Sequence, residues 1–343
     1  MELKLQGKTA LVTGASIGIG RGIALALARE GVRLALVARR ENLLAALAGE
    51  IGTAGGIQPL LIVEDLVAEG APARIGRAAI AGLGAVDILI NNAGGSRPFK
   101  IDATEEQWNE AMTLNFTRQR QLTHALLEPM MARQWGRIIN ITGKSEPEGI
   151  NGAFCAKAAI HAWAKGLSRE VGKFGITVNS IPPGRIHSEQ IRRNYSPEYR
   201  KWQAENEIPV GRYGEPEDVA NLVCFLCSPL AGYITGKSEP DRINGAFCAK
   251  AALHSWAKGL SREVGKMGVT VNCIGPGRIM SDQIRRNYTP EYRAWQSEHE
   301  IPMGRYGEPE ELADLAAFLA SPRAGYITGA VYPVDGGLRR YQY

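Results

Sequence analysis

Residues 142–236 and residues 235–329 have nearly the same sequence. The first segment contains TGKSEPEGINGAFCAKAAIHAWAKGLSREVGKFGITVN, and the second contains TGKSEPDRINGAFCAKAALHSWAKGLSREVGKMGVTVN. Thr235 follows Thr142 by 93 residues. Solenoids need several short units that stack into one core. Two long segments of this identity instead indicate a tandem duplication inside one ordinary domain, because subtracting the 93-residue offset from 343 residues leaves 250.

The composition is that of a soluble globular protein, with 45% hydrophobic and 22% charged residues. The net charge of +5 is spread along the chain without a basic block, so we expect no nucleic-acid partner. No apolar run reaches the roughly 18 residues that span a bilayer, and no secretory signal pattern is visible at the N-terminus. We therefore expect a cytoplasmic protein with no membrane partner.

The cysteines and histidines show no zinc spacing, so we expect no metal site. Cys224 and Cys227 form a CxxC pair, but the second segment has Ala317 and Ala320 at these positions. We interpret the pair as small buried residues on a helix.

Short apolar runs alternate with helical patterns along the first half of the chain. The predicted strands are residues 8–13, 32–38, 60–63, 87–91 and 137–141, and the predicted helices are residues 18–30, 41–51, 68–82 and 105–134. The apolar runs do not alternate with polar residues, which is typical of strands buried on both faces. The pattern predicts an α/β fold with a parallel sheet between two layers of helices.

Each repeated segment supplies one helix, one strand and a further helix. These are residues 151–173, 176–181 and 216–227 in the first segment, and residues 244–266, 269–274 and 309–320 in the second. A single strand, residues 331–334, follows them. We predict a nucleotide-binding half at 1–141, the two copies at 142–234 and 235–329, and the last strand with its tail at 330–343.

The turn TGASIGIG at residues 13–20 lies between the first strand and the first helix. Gly14, Gly18 and Gly20 permit a tight turn and let backbone N–H groups approach a pyrophosphate at the positive end of the helix. At the end of the second strand, an acidic residue would favour NAD, whereas arginine accommodates a 2′-phosphate. The chain has Arg39 and Arg40 there, which favours NADP(H).

These motifs together resemble the short-chain dehydrogenase/reductase superfamily, and its 3-oxoacyl-acyl-carrier-protein-reductase-like branch in particular. The resemblance rests on TGASIGIG, Asp65, the Asn91-Asn92-Ala93-Gly94 turn, Asn115 and a lysine in the helix after the fifth strand. It implies a Rossmann-type doubly wound sheet, a small-molecule substrate and a homo-oligomer, either a dimer or a tetramer. The cofactor-binding residues that we expect are Gly14, Ser16, Ile17, Gly18, Ile19, Gly20, Arg39, Arg40, Asp65, Asn91, Ala93, Gly94, Lys157, Pro183 and Gly184.

The family's catalytic set is Asn, Ser, Tyr and Lys, with the last two spaced YxxxK. This chain has Phe154 and Lys157 at that spacing, and Phe247 and Lys250 in the second segment. Thr142 or Gly143 occupies the position of the serine. Phenylalanine has no proton to give to a carbonyl oxygen. The candidate catalytic residues are Asn115, Thr142, Ser145, Phe154, Lys157, Phe247 and Lys250.

Three functions are compatible with the absence of the family's tyrosine and serine. In the first, a carbonyl is reduced, Thr142 and Ser145 polarise the substrate oxygen, and Tyr195, Tyr288 or a bound water supplies the proton. The second is reduction of a conjugated enone or dienoyl thioester, and the third is nucleotide binding with little catalysis. Arg192 and Arg193, repeated as Arg285 and Arg286, either clamp an anionic group of the substrate or form a solvated face.

Only one copy can complete the sheet. We expect the first copy to do so, with Asn115, Phe154 and Lys157 at the working site, because a surplus segment after Ile141 would interrupt the loop beside the nicotinamide. The second copy's helix, residues 244–266, would then pack outside the core or in an oligomer interface. Pro182-Pro183-Gly184 argues the other way, since Gly275-Pro276-Gly277 fits the family pattern better.

Overall fold

The computed structural model describes residues 1–95, 103–143, 152–236, 257 and 260–338. Six parallel strands form the main sheet in the order β3-β2-β1-β4-β5-β6. These strands are β1 (Thr9–Thr13), β2 (Arg33–Ala38), β3 (Leu60–Val63), β4 (Ile88–Asn91), β5 (Gly136–Ile141) and β6 (Ile176–Ile181). The order reverses between β1 and β4, which is the crevice where doubly wound sheets bind ligands.

Nine α-helices accompany this sheet within the described part of the first 236 residues. They are α1 (Gly18–Arg29), α2 (Glu41–Thr53), α3 (Ala71–Leu83), α4 (Glu105–Met112), α5 (Arg118–Ala132), α6 (Gly152–Val171), α7 (Glu189–Asn194), α8 (Pro197–Asn206) and α9 (Pro216–Cys227). Two hydrophobic clusters cover the sheet. One includes residues of α1, α2 and α9, and the other includes residues of α3, α5 and α6. The predicted Rossmann-type parallel sheet with helices on both faces is confirmed.

The helix predicted over residues 105–134 is interrupted. A π-helical turn, Thr113–Thr117, separates α4 from α5 and contains the buried Asn115. Turns of this kind widen the helix by one residue and occur frequently at functional sites.

The first repeated segment supplies the strand next to β5, as expected. β6 pairs with β5 over its whole length, from Gly136 opposite Ile176 to Ile141 opposite Ile181. Ile176 and Val178 are buried in this position. The Lys157 helix, α6, is therefore attached to the same sheet as the glycine-rich turn.

The second segment forms a separate small sheet. Its described elements are β7 (Cys273–Pro276), α10 (Asp282–Asn287), α11 (Pro290–His299) and α12 (Pro309–Leu319), followed by the last strand, β8 (Val331–Val334). β8 pairs in parallel with β7 and does not join the main sheet. The strand predicted at residues 269–274 is also displaced, since Val269 is 49% exposed whereas its equivalent Ile176 is buried by β5.

One residue position explains why β8 pairs with the second segment and not with the first. Cys273 N donates to Ala330 O at 2.8 Å and Gly277 N donates to Val334 O at 2.9 Å, and Gly275 lies between these two ladder positions. The first segment has Pro182 where the second has Gly275. Proline has no N–H to donate to a ladder. The second segment is therefore the better partner for β8.

A short turn occupies the edge of β6 instead. Gly236 N donates to Val178 O at 3.2 Å, Val178 N donates to Thr235 Oγ1 at 3.0 Å, and Asn179 Nδ2 donates to Ile234 O at 2.7 Å. The second segment repeats this arrangement with Ile327, Thr328 and Gly329 beside Val271 and Asn272.

The two segments contact each other reciprocally: residues at equivalent positions in the two segments make the same contacts with the other segment. Phe225 of α9 stacks on its counterpart Phe318 of α12, with ring centroids 4.5 Å apart. A Cβ at Gly172 would lie 2.6 Å from Pro302 O, and a Cβ at its counterpart Gly265 would lie 2.5 Å from Pro209 O. The second segment is therefore docked on the first by a contact with approximate two-fold symmetry.

Cys224 and Cys227 are buried in the hydrophobic cluster that includes residues of α1, α9 and α12. Burial raises the pKa of the Cys224 thiol to about 12 and also raises that of Cys227. Thiols of this kind are structural rather than reactive. Among the described residues, no helix combines the length and apolarity needed to cross a membrane.

Candidate active site

The glycine-rich turn joins β1 to α1 at the point where the sheet order reverses. Gly14 and Gly18 have φ values of +64° and +57°, which favour glycine. A Cβ at Gly14 would lie 2.9 Å from Asn92 Nδ2, and a Cβ at Gly20 would collide with the Gly14 carbonyl oxygen. Ile17 precedes α1 without a side-chain cap, so the first N–H groups of α1 remain available to an anion.

Other residues of the turn support this shape. Ser16 is buried, and Ile17 and Ile19 are half-buried on either side of Gly18. Gly14, Gly18 and Gly20 carry no side chain that would cover the backbone of this turn. The turn therefore fits the pyrophosphate of a dinucleotide.

The turn after β4 is bound directly to the end of β1. Asn92 Nδ2 donates to Thr13 O at 3.0 Å and to Gly14 O at 3.1 Å. Thr13 Oγ1 in turn accepts from Asn92 N at 3.0 Å and from Ala93 N at 3.1 Å. Thr13 and Asn92 belong to the two sequence motifs but are not among the cofactor-binding residues expected from them. Their signal is that each is a polar residue at the carboxyl end of an otherwise apolar strand.

The side chain of Asn91 points into the core instead of the crevice. It is fully buried and donates from Nδ2 to Thr123 Oγ1 and to Asn140 Oδ1, both at 3.0 Å. Its role is therefore to hold β4, β5 and α5 together behind the site. Of the expected Asn91, Ala93 and Gly94, only the last two lie in the turn that faces Asn115 and Lys157.

The arginines after β2 are exposed, with 75% of the Arg39 side chain and 47% of the Arg40 side chain accessible to solvent. Arg39 Nη1 lies 3.7 Å from Asp65 Oδ2, and Arg40 Nη1 lies 3.7 Å from Glu189 Oε2. Asp65 also accepts from Val67 N at 3.1 Å, which shapes the turn after β3. Arg39, Arg40 and Asp65 thus lie after the carboxyl ends of β2 and β3, and Arg39 faces Asp65.

Asn115 is held by two hydrogen bonds. Its Nδ2 donates to Ala111 O at 3.0 Å, and its Oδ1 accepts from Gly95 N at 3.0 Å. A Cβ at Gly94 would lie 2.9 Å from Asn115 Oδ1 and 3.9 Å from Lys157 Cε. The turn after β4 therefore places Asn115 and Lys157 around one small space that only glycine leaves open.

Lys157 is positioned by the end of β5. Its Nζ donates to Thr142 O at 2.9 Å, and burial lowers the pKa of its ammonium group to about 8. Thr142 is only 2% exposed, and its Oγ1 has no hydrogen-bond partner among the described residues. A buried hydroxyl in this state is available to a ligand.

Phe154 lies beside this group. A Cβ at Gly143 would be 3.3 Å from Lys157 Cδ and 4.0 Å from Phe154 Cδ1. Phe154 and Lys157 are both partly buried. Ser145, Phe247 and Lys250 lie outside the described residues.

The loop after β6 leads to the lid helices α7 and α8. Pro183 is half-buried and Gly184 is exposed, with no atom within 4 Å of the position of a Cβ. The lid arginines Arg192 and Arg193 are exposed, as are Arg285 and Arg286 in the second segment. The structure therefore agrees with a solvated face for these four arginines.

The tyrosines considered as proton donors lie elsewhere in the lids. Tyr195 packs on Tyr199 with ring centroids 5.5 Å apart, and Tyr288 packs in the same way on Tyr292. Neither tyrosine is hydrogen-bonded to Thr142 Oγ1, which has no partner among the described residues. Lys157 is thus the ionisable group that the described structure brings to Asn115 and Thr142.

The sequence and the fold have known relatives. A family model described as Enoyl-(Acyl carrier protein) reductase matches residues 14–239 and 243–339. The chain belongs to the short-chain dehydrogenase/reductase family. It is an oxidoreductase of that family.

Two curated relatives of this short-chain dehydrogenase/reductase are 3-oxoacyl-[acyl-carrier-protein] reductases. The protein of Aquifex aeolicus is 34% identical over 258 residues, which are 72% of this chain and 100% of the relative. The protein of Escherichia coli is 36% identical over 249 residues, which are 71% of this chain and 99% of the relative. The unmatched remainder of the 343-residue chain is close to the length of one repeated segment.

Two solved structures have a similar fold. A 7α-hydroxysteroid dehydrogenase in complex with NADH and 7-oxo glycochenodeoxycholic acid matches with a TM-score of 0.64 at 32% identity, covering 68% of this chain and 92% of the other. A hydroxysteroid dehydrogenase from Escherichia coli matches with a TM-score of 0.61 at 32% identity, covering 68% and 94%.

Proposed function

We propose that the chain is an NADP(H)-dependent reductase that acts on the carbonyl group of a small ketone or 3-oxoacyl-like substrate through a site without the family tyrosine. The observation that carries this proposal is the group formed by Asn115, Thr142 and Lys157 beside the glycine-rich turn. The 3-oxoacyl reductases among its relatives support the substrate class.

The nucleotide would lie across the crevice between β1 and β4. The N–H groups of residues 14–20 would bind its pyrophosphate, and Arg39 and Arg40 its 2′-phosphate. Gly94 leaves the space beside Asn115 and Lys157 open to the nicotinamide end. When bound, the nicotinamide supplies the hydride that joins the carbonyl carbon.

Lys157 would provide the proton. As the carbonyl carbon gains the hydride, its oxygen becomes an alkoxide, and the ammonium group gives a proton to that oxygen to form the alcohol. The neutral amine then regains a proton from solvent. An acid works best with a pKa near the working pH, and burial brings that of Lys157 to about 8. The unpartnered Thr142 hydroxyl would donate a hydrogen bond to the same oxygen.

Reduction of a conjugated double bond is the second candidate. Phe154 favours it, because this reaction does not need a phenol beside the substrate oxygen. A hydride added to the far carbon of an enoyl or dienoyl thioester moves negative charge to the thioester oxygen. Thr142 and Lys157 would stabilise that charge, and water would protonate the carbon. The description of the matching family model points to the same substrate class.

Loss of NADPH absorbance with purified protein tests both candidates. The substrate panel contains simple ketones, 3-oxoacyl thioesters and enoyl or dienoyl thioesters, each offered with NADPH and with NADH. Turnover of the oxo compounds with a preference for NADPH supports the proposal, and turnover of the conjugated thioesters alone supports the second candidate. Tight NADPH binding without turnover of any substrate refutes both and identifies a nucleotide-binding protein.

We also propose that the working site belongs to the first repeated segment and that residues 235–329 are a docked second copy. Pairing of β6 with β5 and of β7 with β8 supports this division. The protein is proposed to assemble as a homo-oligomer, as the family resemblance implies, and sedimentation analysis of the full chain tests that assembly.

A further inference from the structure

The two arginines at the proposed 2′-phosphate site already face carboxylates. Arg39 is 3.7 Å from Asp65, which follows β3, and Arg40 is 3.7 Å from Glu189, which begins the lid helix α7. Both guanidinium groups are accessible to solvent, and 62% of the Glu189 side chain is also exposed. A ligand phosphate that reaches Arg40 therefore arrives beside the Glu189 carboxylate.

The start of α7 lies against the nucleotide turn. Ser188 caps α7 by accepting from Ile191 N at 3.1 Å, and its Cβ lies 3.9 Å from the position of a Cβ at Gly18. His187 N donates to Gly214 O at 2.8 Å and so anchors the residue before the cap. Glu189 is thus held near the turn by its own backbone, and its position does not depend on the ion pair alone.

The second segment provides a contrast at the same position. Asp282 is the equivalent of Glu189, but it lies 3.7 Å from Arg285 of its own helix. The helix, the cap and the negative charge are all repeated there. Among the described residues, it is Glu189 of the first segment that contacts the nucleotide-binding half, through Arg40.

We propose that Glu189 is a specificity-determining residue whose carboxylate competes with the 2′-phosphate of NADPH for Arg40. This rests on the proposed function, in which Arg40 contacts that phosphate. NADH brings only a hydroxyl group to the same place and leaves the Arg40–Glu189 pair intact. Glu189 therefore lowers the affinity for NADPH and leaves the affinity for NADH nearly unchanged.

The expected size of the effect follows from the exposure of these groups. The 2′-phosphate must displace the Glu189 carboxylate from Arg40, and the Coulomb attraction of one such pair of unit charges 3.7 Å apart in water corresponds to roughly a sevenfold change in affinity. Salt screens such exposed charges over a few ångströms at molar concentration. The effect of Glu189 is consequently expected to fade at high ionic strength.

Fluorescence titration with NADPH and with NADH tests the proposal in the full chain. The proteins compared are the wild type, Glu189→Gln, the matched control Asp282→Asn, Arg40→Gln and the double variant Arg40→Gln/Glu189→Gln. At low salt, Glu189→Gln is expected to bind NADPH about three- to tenfold more tightly and NADH within twofold of the wild type. Asp282→Asn is expected to match the wild type for both nucleotides, and the gain for NADPH should disappear in molar salt and in the Arg40→Gln background.

Three results would overturn the role of Glu189 while leaving the proposed function intact. One is NADPH binding by Glu189→Gln equal to that of the wild type. The others are an equal gain for NADH and a gain that persists without Arg40, since neither involves competition for that guanidinium. Failure of the wild type to bind either nucleotide would refute the proposed function and this inference together.

Discussion

Tyr233 and Tyr326 occupy the same position in the two repeated segments, and each places its hydroxyl group on the backbone of the other segment. Tyr233 Oη lies 3.2 Å from Arg278 O and 3.1 Å from Arg305 O. Tyr326 Oη lies 3.2 Å from Arg185 O and 3.0 Å from Arg212 O, the equivalent carbonyl groups of the first segment. The contact that docks the second segment is therefore specific and reciprocal.

Replacement of Tyr233 by phenylalanine is expected to destabilise the protein by about 1–2 kcal/mol. Tyr233 is fully buried, and without its hydroxyl the carbonyl groups of Arg278 and Arg305 lose a donor in a place with little water. Tyr326→Phe is the matched control. Tyr326 is only partly buried, so the expected loss is below about 1 kcal/mol. Urea unfolding measures both, and equal losses would contradict the difference in burial.

Loss of Lys157 is expected to abolish most turnover. Lys157→Ala removes the proposed acid and its hydrogen bond to Thr142 O, and general acids typically contribute about a hundredfold or more to kcat. The comparison is Lys250→Ala in the second segment, for which we expect wild-type kcat and wild-type NADPH affinity. A larger loss from Lys250→Ala would move the working site to the second segment.

The rate of ketone reduction is expected to fall at alkaline pH. Only the ammonium form of Lys157 carries the proton to be given, and its pKa is lowered to about 8 by burial. Below that pH the group stays charged and kcat stays level, whereas above it kcat falls about tenfold per pH unit. Initial rates at saturating NADPH over this range measure the profile. A kcat that stays level or rises well above pH 8 would exclude Lys157 as the acid.

Replacement of Phe154 by tyrosine is expected to raise kcat for ketones by about tenfold or more. The new hydroxyl would lie one helical turn before Lys157 and provide a second proton donor at the site. Phe247→Tyr makes the same change in the second segment and is expected to leave the rate unchanged. No gain from Phe154→Tyr would indicate that the substrate oxygen does not approach position 154.

Much of the fold follows from local sequence patterns. The apolar runs of β1, β2, β4 and β5 lie between segments with the pattern and length of helices. Gly14, Gly18 and Gly20 mark the tight turn between the first strand and the first helix. These are local signals, and each can be interpreted without knowing what the chain does elsewhere.

The pairing of β8 was not predictable in the same way. Two nearly identical strands compete for it, and the outcome depends on a single N–H group that Pro182 lacks and Gly275 has. The site shows a similar limit. Lys157 and Asn115 can be recognised from the resemblance to the family. The approach of Glu189 to Arg40 joins residues from separate elements, and no periodicity in the sequence encodes it.

The Ile-Thr-Gly turn that closes each repeated segment has a consequence for association with other molecules. An unpaired strand at the edge of a sheet is a template for aggregation with other molecules. Here Thr235 and Gly236 already bind the Val178 backbone, and Thr328 and Gly329 do the same for Val271. In each repeat the turn thus occupies backbone groups in the added strand or just before it, so these groups are not free to recruit a neighbour.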